Sequence, residues 1–319
     1  MQPVLSPALS VVVPVYGNAD SIPTLIEALR DIGRRVEGGF EAVFVVDGSP
    51  DHSHALLREA LPQAGFPAQL VELTRNFGAF PAIRVGLEKA RGRVIAVMAA
   101  DLQEPPALVL SFLERLGGGD ADVAFGVRDG RNDPPLSKLL SHVFWGLYRR
   151  FVMPDIPKGG VDIFAISDRF RDRLITLRES NTSLLAQLFW LGGRRVFVGY
   201  ERRKRAHGRS AWTLRKKLKY LSDSVFAFSD LPVRLLIGIG IVALTTAVVL
   251  SVVTVVAKLS GLVTVPGYAG TILTMLFFGA LNALGLGVVG TYAWRAFENT
   301  KERPLALVHS EESFNEDAP

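Results

Sequence analysis

Two long apolar segments near the carboxyl end limit what this chain can fold into more than any other feature. Leu235 to Ala257 runs 23 residues without a charged side chain, and Thr271 to Trp294 is a second uncharged stretch. About 20 apolar residues in a helix cross the roughly 30 Å hydrocarbon core of a bilayer. Two buried core helices are the plainer reading, but the flanks favour membrane spans. Lys and Arg gather before the first segment and after the second, at Arg295, Lys301 and Arg303, whereas Lys258 to Gly270 carries one charge. The positive-inside rule then predicts a multi-pass protein of the inner (plasma) membrane with both termini, and everything before residue 230, in the cytoplasm. Gly279, Gly285, Gly287 and Gly290 suit close helix packing in the second span.

The stretch that leads into the first span is basic. Net charge is +5 with a sequence pI near 9.5, but Arg202 to Lys219 alone holds nine Lys or Arg and no acid. Such a run suits nucleic acid or an anionic membrane surface. Its position predicts the membrane, with no nucleic-acid partner. Trp212 to Ser229 places Leu214, Leu218, Leu221, Val225, Phe226 and Phe228 among Arg215, Lys216, Lys217 and Lys219. That pattern predicts an amphipathic helix lying in the membrane interface, the alternative being a helix packed on the preceding domain. The chain has no cysteine, which excludes disulfides and thiolate metal sites. The first ten residues, MQPVLSPALS, have no charged leader pattern, so no signal peptide is expected.

Before residue 230 the pattern is mixed and charged, long enough for one large α/β domain. Leu9 to Tyr16, Phe40 to Val46, Gln69 to Thr74, Val94 to Ala100 and Asp122 to Val127 read as strands. Between them lie helical patterns. The first has Ile22, Leu25, Ile26, Leu29 and Ile32, with Ser21 as N-cap and Gly33 as stop; Pro81 opens another that ends near Arg91-Gly92, and Pro105-Pro106 a third. Alternation of this length predicts a parallel sheet with right-handed crossovers. Further on, Pro134 to Phe151 reads as a core-facing amphipathic helix, Thr182 to Leu191 as another helix and Val196 to Tyr200 as the last strand. The acidic tail, Ser310 to Pro319, is expected to be disordered.

Polar residues collect where the strands end. Arg93 to Pro106, RVIAVMAADLQEPP, takes a buried strand straight into Asp101 and Gln103. In open α/β sheets ligands bind outside the carboxyl ends of the strands. Two oxygen-bearing side chains two residues apart suit a hard divalent cation shared with a phosphate, although an isolated Asp-x-Gln is more often an ordinary polar turn. Asp47, Ser49, Arg75 and Asn76 follow other strands, which predicts one shared ligand site. The chain has neither GxGxxG nor GxxxxGK[ST], which argues against a Rossmann dinucleotide site and a P-loop. Arg128, Arg131 and Lys138 suit phosphates or a solvated face. Asp162 is either catalytic or the cap of a helix that begins near Ser167.

Taken together, Val13-Pro14-Val15-Tyr16, Val46-Asp47-Gly48-Ser49-Pro50-Asp51, Arg75-Asn76-Phe77-Gly78 and Ala100-Asp101-Leu102-Gln103-Glu104-Pro105-Pro106 resemble the ordered motifs of family-2 glycosyltransferases. The branch they look most like is the polyprenyl-phosphate glycosyltransferases, which include dolichol-phosphate mannose synthase and the bacterial GtrB/ArnC-like enzymes. Gly160-Val161-Asp162, Arg205-Ala206-His207-Gly208-Arg209-Ser210, Phe228-Ser229-Asp230-Leu231-Pro232 and the paired spans extend the resemblance over residues 9–304.

The resemblance implies an α/β domain of GT-A type, Rossmann-like with a mostly parallel sheet, over residues 1–210. Interface helices would occupy 211–231, a two-helix transmembrane hairpin 232–296 and a cytoplasmic tail 297–319. It implies inverting transfer from a nucleotide sugar to a polyprenyl phosphate, and a homo-oligomer. Pro14, Tyr16, Asp47, Ser49, Asn76, Asp101 and Gln103 would bind the nucleotide sugar. Asp101 and Gln103 would hold Mg²⁺ or Mn²⁺. Arg128, Arg131, Arg205 and Ser210 would hold the donor diphosphate and the lipid phosphate, and Asp101, Asp162 and Arg205 would be catalytic. Ser210-Ala211-Trp212 leans toward the bacterial branch and a UDP-sugar. Two departures stand out: Ala99 replaces the first carboxylate of the usual Asp-x-Asp, and Val46 the first of a usual Asp-Asp pair. The missing carboxylates weaken the expected metal site and motivate a second reading, a scaffold that binds nucleotide sugar or lipid for partner membrane enzymes.

Overall fold

The structure is a computed structural model that describes residues 6–128, 145–146, 148–150, 153–157, 161, 163–202, 214–260 and 267–315. Eight strands form one sheet in the order β7-β5-β6-β4-β1-β2-β3-β8. They are β1 (Leu9–Val15), β2 (Phe40–Val46), β3 (Ala68–Leu73), β4 (Val94–Val97), β5 (Val123–Arg128), β6 (Ile163–Ser167), β7 (Arg195–Tyr200) and β8 (Val308–Phe314). β1 pairs parallel with β2 and β4, and β2 with β3. β6 lies antiparallel between β4 and β5, and β7 runs parallel to β5. Six strands therefore point their carboxyl ends to one edge, while β6 and β8 run the other way.

Alternation along β1 explains how both faces of the sheet are covered. Leu9, Val11, Val13 and Val15 enter one core, and Val12 enters the other. The first core is closed by α1 (Ile22–Arg35), α2 (Ser53–Ala60) and α4 (Pro106–Gly117). The second is closed by α3 (Ala79–Lys89), α5 (Asp168–Leu174) and α6 (Leu184–Trp190). Gly86 brings α3 down on the sheet, since a Cβ there would sit 2.2 Å from Val12 Cγ1.

Several local expectations need correction. Gly33 does not stop α1, which continues to Arg35; it makes room for the Phe40 ring, 3.0 Å from where a Cβ would lie. Ser21 precedes α1 but makes no capping bond, because it ends a 3-10 turn, Ala19–Ser21, and is already helical. β4 ends at Val97, before Asp101, whereas α3 ends at Lys89 with Ala90 as its C-cap, near Arg91-Gly92 as expected. Ser167 caps α5 itself, its side chain accepting from Phe170 N.

The largest correction concerns the tail. Val308–Phe314 is not disordered; it is an ordered strand, antiparallel to β3, from Ala68↔Phe314 to Leu73↔Val308. Its acidic residues meet basic partners. Glu311 pairs with Lys89 and Glu312 with Arg58. Phe314 packs on the first core, and Asn315 Nδ2 donates to Leu61 O at 2.8 Å and Phe66 O at 3.3 Å. β7 is consequently not the last strand.

After β7 come α7 (Leu214–Phe228), α8 (Leu231–Leu259) and α9 (Tyr268–Thr300). α7 turns Leu221, Val225 and Phe228 onto the second core. α8 and α9 are long and apolar enough to cross a membrane, and none of the most apolar window of α9 is buried. Leu286 is 73% exposed and Val242 67%. An uncovered apolar surface of that extent requires an apolar partner, and lipid fits helices of this length. Gly285 meets Leu236 of α8, whereas Gly279, Gly287 and Gly290 face open space. Arg295 fastens α9 to the domain, donating to Asp223 Oδ1 at 2.8 Å and to Asn181 O at 3.0 Å.

Candidate active site

Three loops leave adjacent parallel strands and lock together at the shared carboxyl edge. Asp47, one residue past β2, is 3% exposed. Its two carboxylate oxygens accept from Phe77 N at 2.7 Å and Gly78 N at 2.8 Å, which fixes the loop after β3 to the loop after β2. Gly48 makes the approach possible. Its φ is +54°, and a Cβ there would lie 2.4 Å from Arg75 C and 2.5 Å from Asn76 N. Only glycine tolerates both demands. Arg75 in turn stacks its guanidinium over the Phe77 ring at 3.9 Å.

The loop after β1 is tied in by Ser49 and Asp51. Gly17 N donates to Ser49 Oγ at 2.8 Å, and Ser49 Oγ donates to Asp51 Oδ1 at 2.6 Å. Asp51 also accepts from Ala19 N and Ser53 N. Burial alone would raise the Asp51 pKa, but bonds from the Ser49 and Ser53 side chains and from those two N–H groups outweigh it and hold the pKa at about 2. Tyr16 stands 43% exposed above this frame, Pro14 is half-buried, and Asn76 is exposed at the rim. Asp51 and the Phe77 and Gly78 N–H groups are absent from the site residues that the sequence predicts. The signal for Asp51 is its place four residues after Asp47 in a Gly-Ser-Pro turn.

The turn after β4 is built differently. Met98 N still bonds Val12 O, so the chain follows β1 one residue past the strand and then turns over Ala99-Ala100-Asp101. Leu102 takes the left-handed conformation at φ +53°. A bulky residue held there stores of order 1 kcal/mol and occurs where surroundings over-determine the backbone. Asp101 is half-buried, and its Oδ1 accepts from Gln103 N at 3.3 Å. Gln103 Oε1 accepts from Arg202 Nη2, and Arg202 Nε lies 3.9 Å from the buried Glu104 carboxylate. Arg202 follows β7, so the basic run begins by touching this turn. In the sequence it reads only as part of a charged stretch; its side chain's target lies 99 residues away and has no local signature. Arg128 ends β5 opposite Tyr200 of β7, at the same edge.

The structure thus joins Ser49, Asp47 and the Arg75–Gly78 loop, and separately joins Asp101, Gln103 and Arg202. Arg131, Asp162, Arg205 and Ser210 lie outside the described residues. Among the described residues no three His, Cys, Asp or Glu side chains gather as a metal cage. Asp101 offers one carboxylate, Ala99 offers none, and the Gln103 oxygen is engaged by a guanidinium. This donor set fits a divalent ion of the kind that takes one or two protein carboxylates and fills its shell with substrate phosphates and water. A separate cleft of about 540 Å³, lined by Trp190, Phe226, Phe228, Asp230, Val233 and Tyr292, contains none of the predicted site residues.

The family model for glycosyl transferase family 2 matches residues 10–187, more than half of the chain and all of the motifs just described through Gln103. The chain is 31% identical to the uncharacterized glycosyltransferase YkcC of Bacillus subtilis over 303 residues, 94% of this chain and 92% of that protein. It is 28% identical over 301 residues to the prophage bactoprenol glucosyl transferase homolog of Escherichia coli K12, 94% of this chain and 98% of that one. Among solved structures, glucosyl-3-phosphoglycerate synthase from Mycobacterium tuberculosis in complex with Mn²⁺ and UDP-glucose matches 69% of this chain and 77% of its own, at 19% identity and a TM-score of 0.49.

Proposed function

The chain belongs to the family-2 glycosyltransferases, a transferase with a GT-A-type domain, and from that premise we propose that it moves a sugar from a UDP-sugar to the phosphate of a polyprenyl phosphate at the cytoplasmic face of a membrane. One observation carries the acceptor. The likeness to the bactoprenol glucosyl transferase homolog runs through 94% of this chain, the two apolar helices included. The second of these helices is fastened by Arg295 to Asn181 of the catalytic domain and to Asp223 of α7, which suits an acceptor presented at headgroup level.

In this reading residues 1–210 are the catalytic domain, 211–231 the interface segment, 232–296 the hairpin and 297–319 the cytoplasmic tail. Pro14, Tyr16, Ser49 and Asn76 line the nucleoside pocket, and Asp47 acts from beneath through the Arg75–Gly78 backbone it holds. Asp101 faces the donor diphosphate, with Gln103 beside it. A phosphate oxygen of the acceptor attacks the anomeric carbon, the bond from that carbon to the nucleoside diphosphate breaks, and configuration inverts. The second pKa of a phosphate monoester is about 6, so the nucleophile is largely ionised near neutral pH and no strong general base is required. Asp162 therefore orients groups. Arg128, Arg131, Arg205 and Ser210 hold the two phosphate-bearing substrates. Asp101, with Gln103 beside it, and the donor phosphates would hold Mg²⁺ or Mn²⁺, which would supply positive charge to offset that of the leaving diphosphate. The protein works as a homo-oligomer in the inner membrane.

The test is transfer of radiolabelled sugar into organic-extractable lipid by the purified full chain. It uses undecaprenyl phosphate, a panel of UDP- and GDP-sugars, and Mg²⁺, Mn²⁺ or EDTA. Label with one UDP-sugar, lost in EDTA, is expected. Nucleotide binding without transfer from any donor would overturn this reading in favour of the scaffold that the absent carboxylate at Ala99 suggests.

A further inference from the structure

The carboxyl-terminal strand reaches further than closing a sheet edge requires. β8 follows α9 after a short link, residues 301–307, and its pairing with β3 continues past the strand: Thr74 N donates to Leu307 O at 2.9 Å. The next residues are Arg75 and Asn76. On their inner side, Gly48 presses against their backbone and Asp47 holds Phe77 and Gly78. On their outer side, the strand from the membrane helix is the neighbour of the segment that leads into them. Without β8, β3 would be an edge strand with a row of unpaired backbone groups, and edge segments open locally at low free energy.

The strand is anchored at several points along its length. Ser310 Oγ donates to Glu72 Oε2 at 3.3 Å, Glu311 pairs with Lys89 of α3, and Glu312 lies 3.0 Å from Arg58 Nε of α2. Phe314 and Asn315 fix its far end, at the opposite end of β3 from Arg75. The other end is continuous with α9, which Arg295 and Asn299 bind to the domain through Asp223, Asn181 and Ser180. The family model stops at residue 187, so this strand lies outside it.

We propose that Leu307 and the strand Val308–Phe314 are a positioning element for the donor loop, so that a segment tethered to the second membrane helix sets how well Arg75 and Asn76 receive the nucleotide. The proposal rests on Asn76 belonging to the nucleotide site. It assigns the strand to donor binding and not to the chemical step.

The experiment compares the full chain with a version ending at Pro304, both reconstituted with spans intact, using UDP and GDP binding by calorimetry and transfer kinetics. Loss of the strand is expected to raise nucleotide Kd and donor KM together by about tenfold, with kcat and acceptor KM within about twofold. A synthetic peptide of residues 305–315 is expected to lower donor KM again. A fall in kcat at constant donor KM, or no change in either, would overturn the proposal. Should the shortened chain fail to fold, Phe314→Ala with Asn315→Ala loosens the strand at the end remote from Arg75. A smaller rise in donor KM supports the proposal, and an unchanged KM at a lowered melting temperature overturns it. Failure of the full chain to bind either nucleotide would remove the site reading itself, and the strand's role with it.

Discussion

The loops after β2 and β4 each carry an aspartate at the same edge of the same sheet, yet the two carboxylates have different work. Asp47 is buried, and both of its oxygens accept backbone N–H groups from a neighbouring loop. Asp101 is half-buried in a strained turn, with a guanidinium-bound Gln103 beside it. A carboxylate whose two oxygens both accept N–H groups of a neighbouring loop shapes that loop; Asp101 accepts from Gln103 N within its own turn. The difference lies in the neighbouring backbone rather than in the residue type.

Substitutions can separate the two roles. Asp101→Asn is expected to cut transfer by about 10²–10³-fold, the size seen for loss of one charge-stabilising group, while leaving the melting temperature close to that of the parent. Asp47→Ala is expected to do the reverse first. It leaves two part-buried N–H groups without their acceptor, so urea unfolding should show a loss of about 1–3 kcal/mol, with activity falling as the fold does. An Asp47 variant that unfolds like the parent but fails to bind nucleotide would break the comparison.

Asp51 sharpens it on the pH axis. Its folded pKa of about 2 lies below the ordinary 3.8. The carboxylate form is favoured in the native state, so the contribution is fully present above pH 3.8 and is lost as the pH falls through about 2. For a partly solvated carboxylate, whose bonds water screens, that preference is worth roughly 1–2 kcal/mol. Acid unfolding of Asp51→Asn is expected to show a flatter stability profile between those two pH values than the parent. The smallest effect is expected at Leu102. Replacing it with glycine relieves the left-handed backbone but gives up its packing on the first core, so stability should change by less than about 1 kcal/mol. Donor KM should rise, because the turn is less pre-organised.

Much of this is legible in the residues. Val11, Val12 and Val13 alternate between two cores as a doubly covered strand must, and the polar residues after the parallel strands lie on one edge because parallel strands end on one side. The two apolar helices are visible as uncharged runs. What is not legible depends on partners distant in sequence. The tail reads as disordered because Glu311 and Glu312 find Lys89 and Arg58 more than 200 residues away. Arg202 reads as one more basic residue until β7 sets it against Gln103. Gly33 reads as a helix stop because its local signal is the same whether it ends a helix or admits a ring from the next strand.

The most direct test is side-by-side transfer of labelled sugar to undecaprenyl phosphate by the full chain and by Asp101→Asn, at matched fold and nucleotide saturation. Lipid-extractable label from the parent, and at least about a hundredfold less from the variant, is the predicted result. Equal label from both proteins, or none from a parent that binds the nucleotide, would contradict the account.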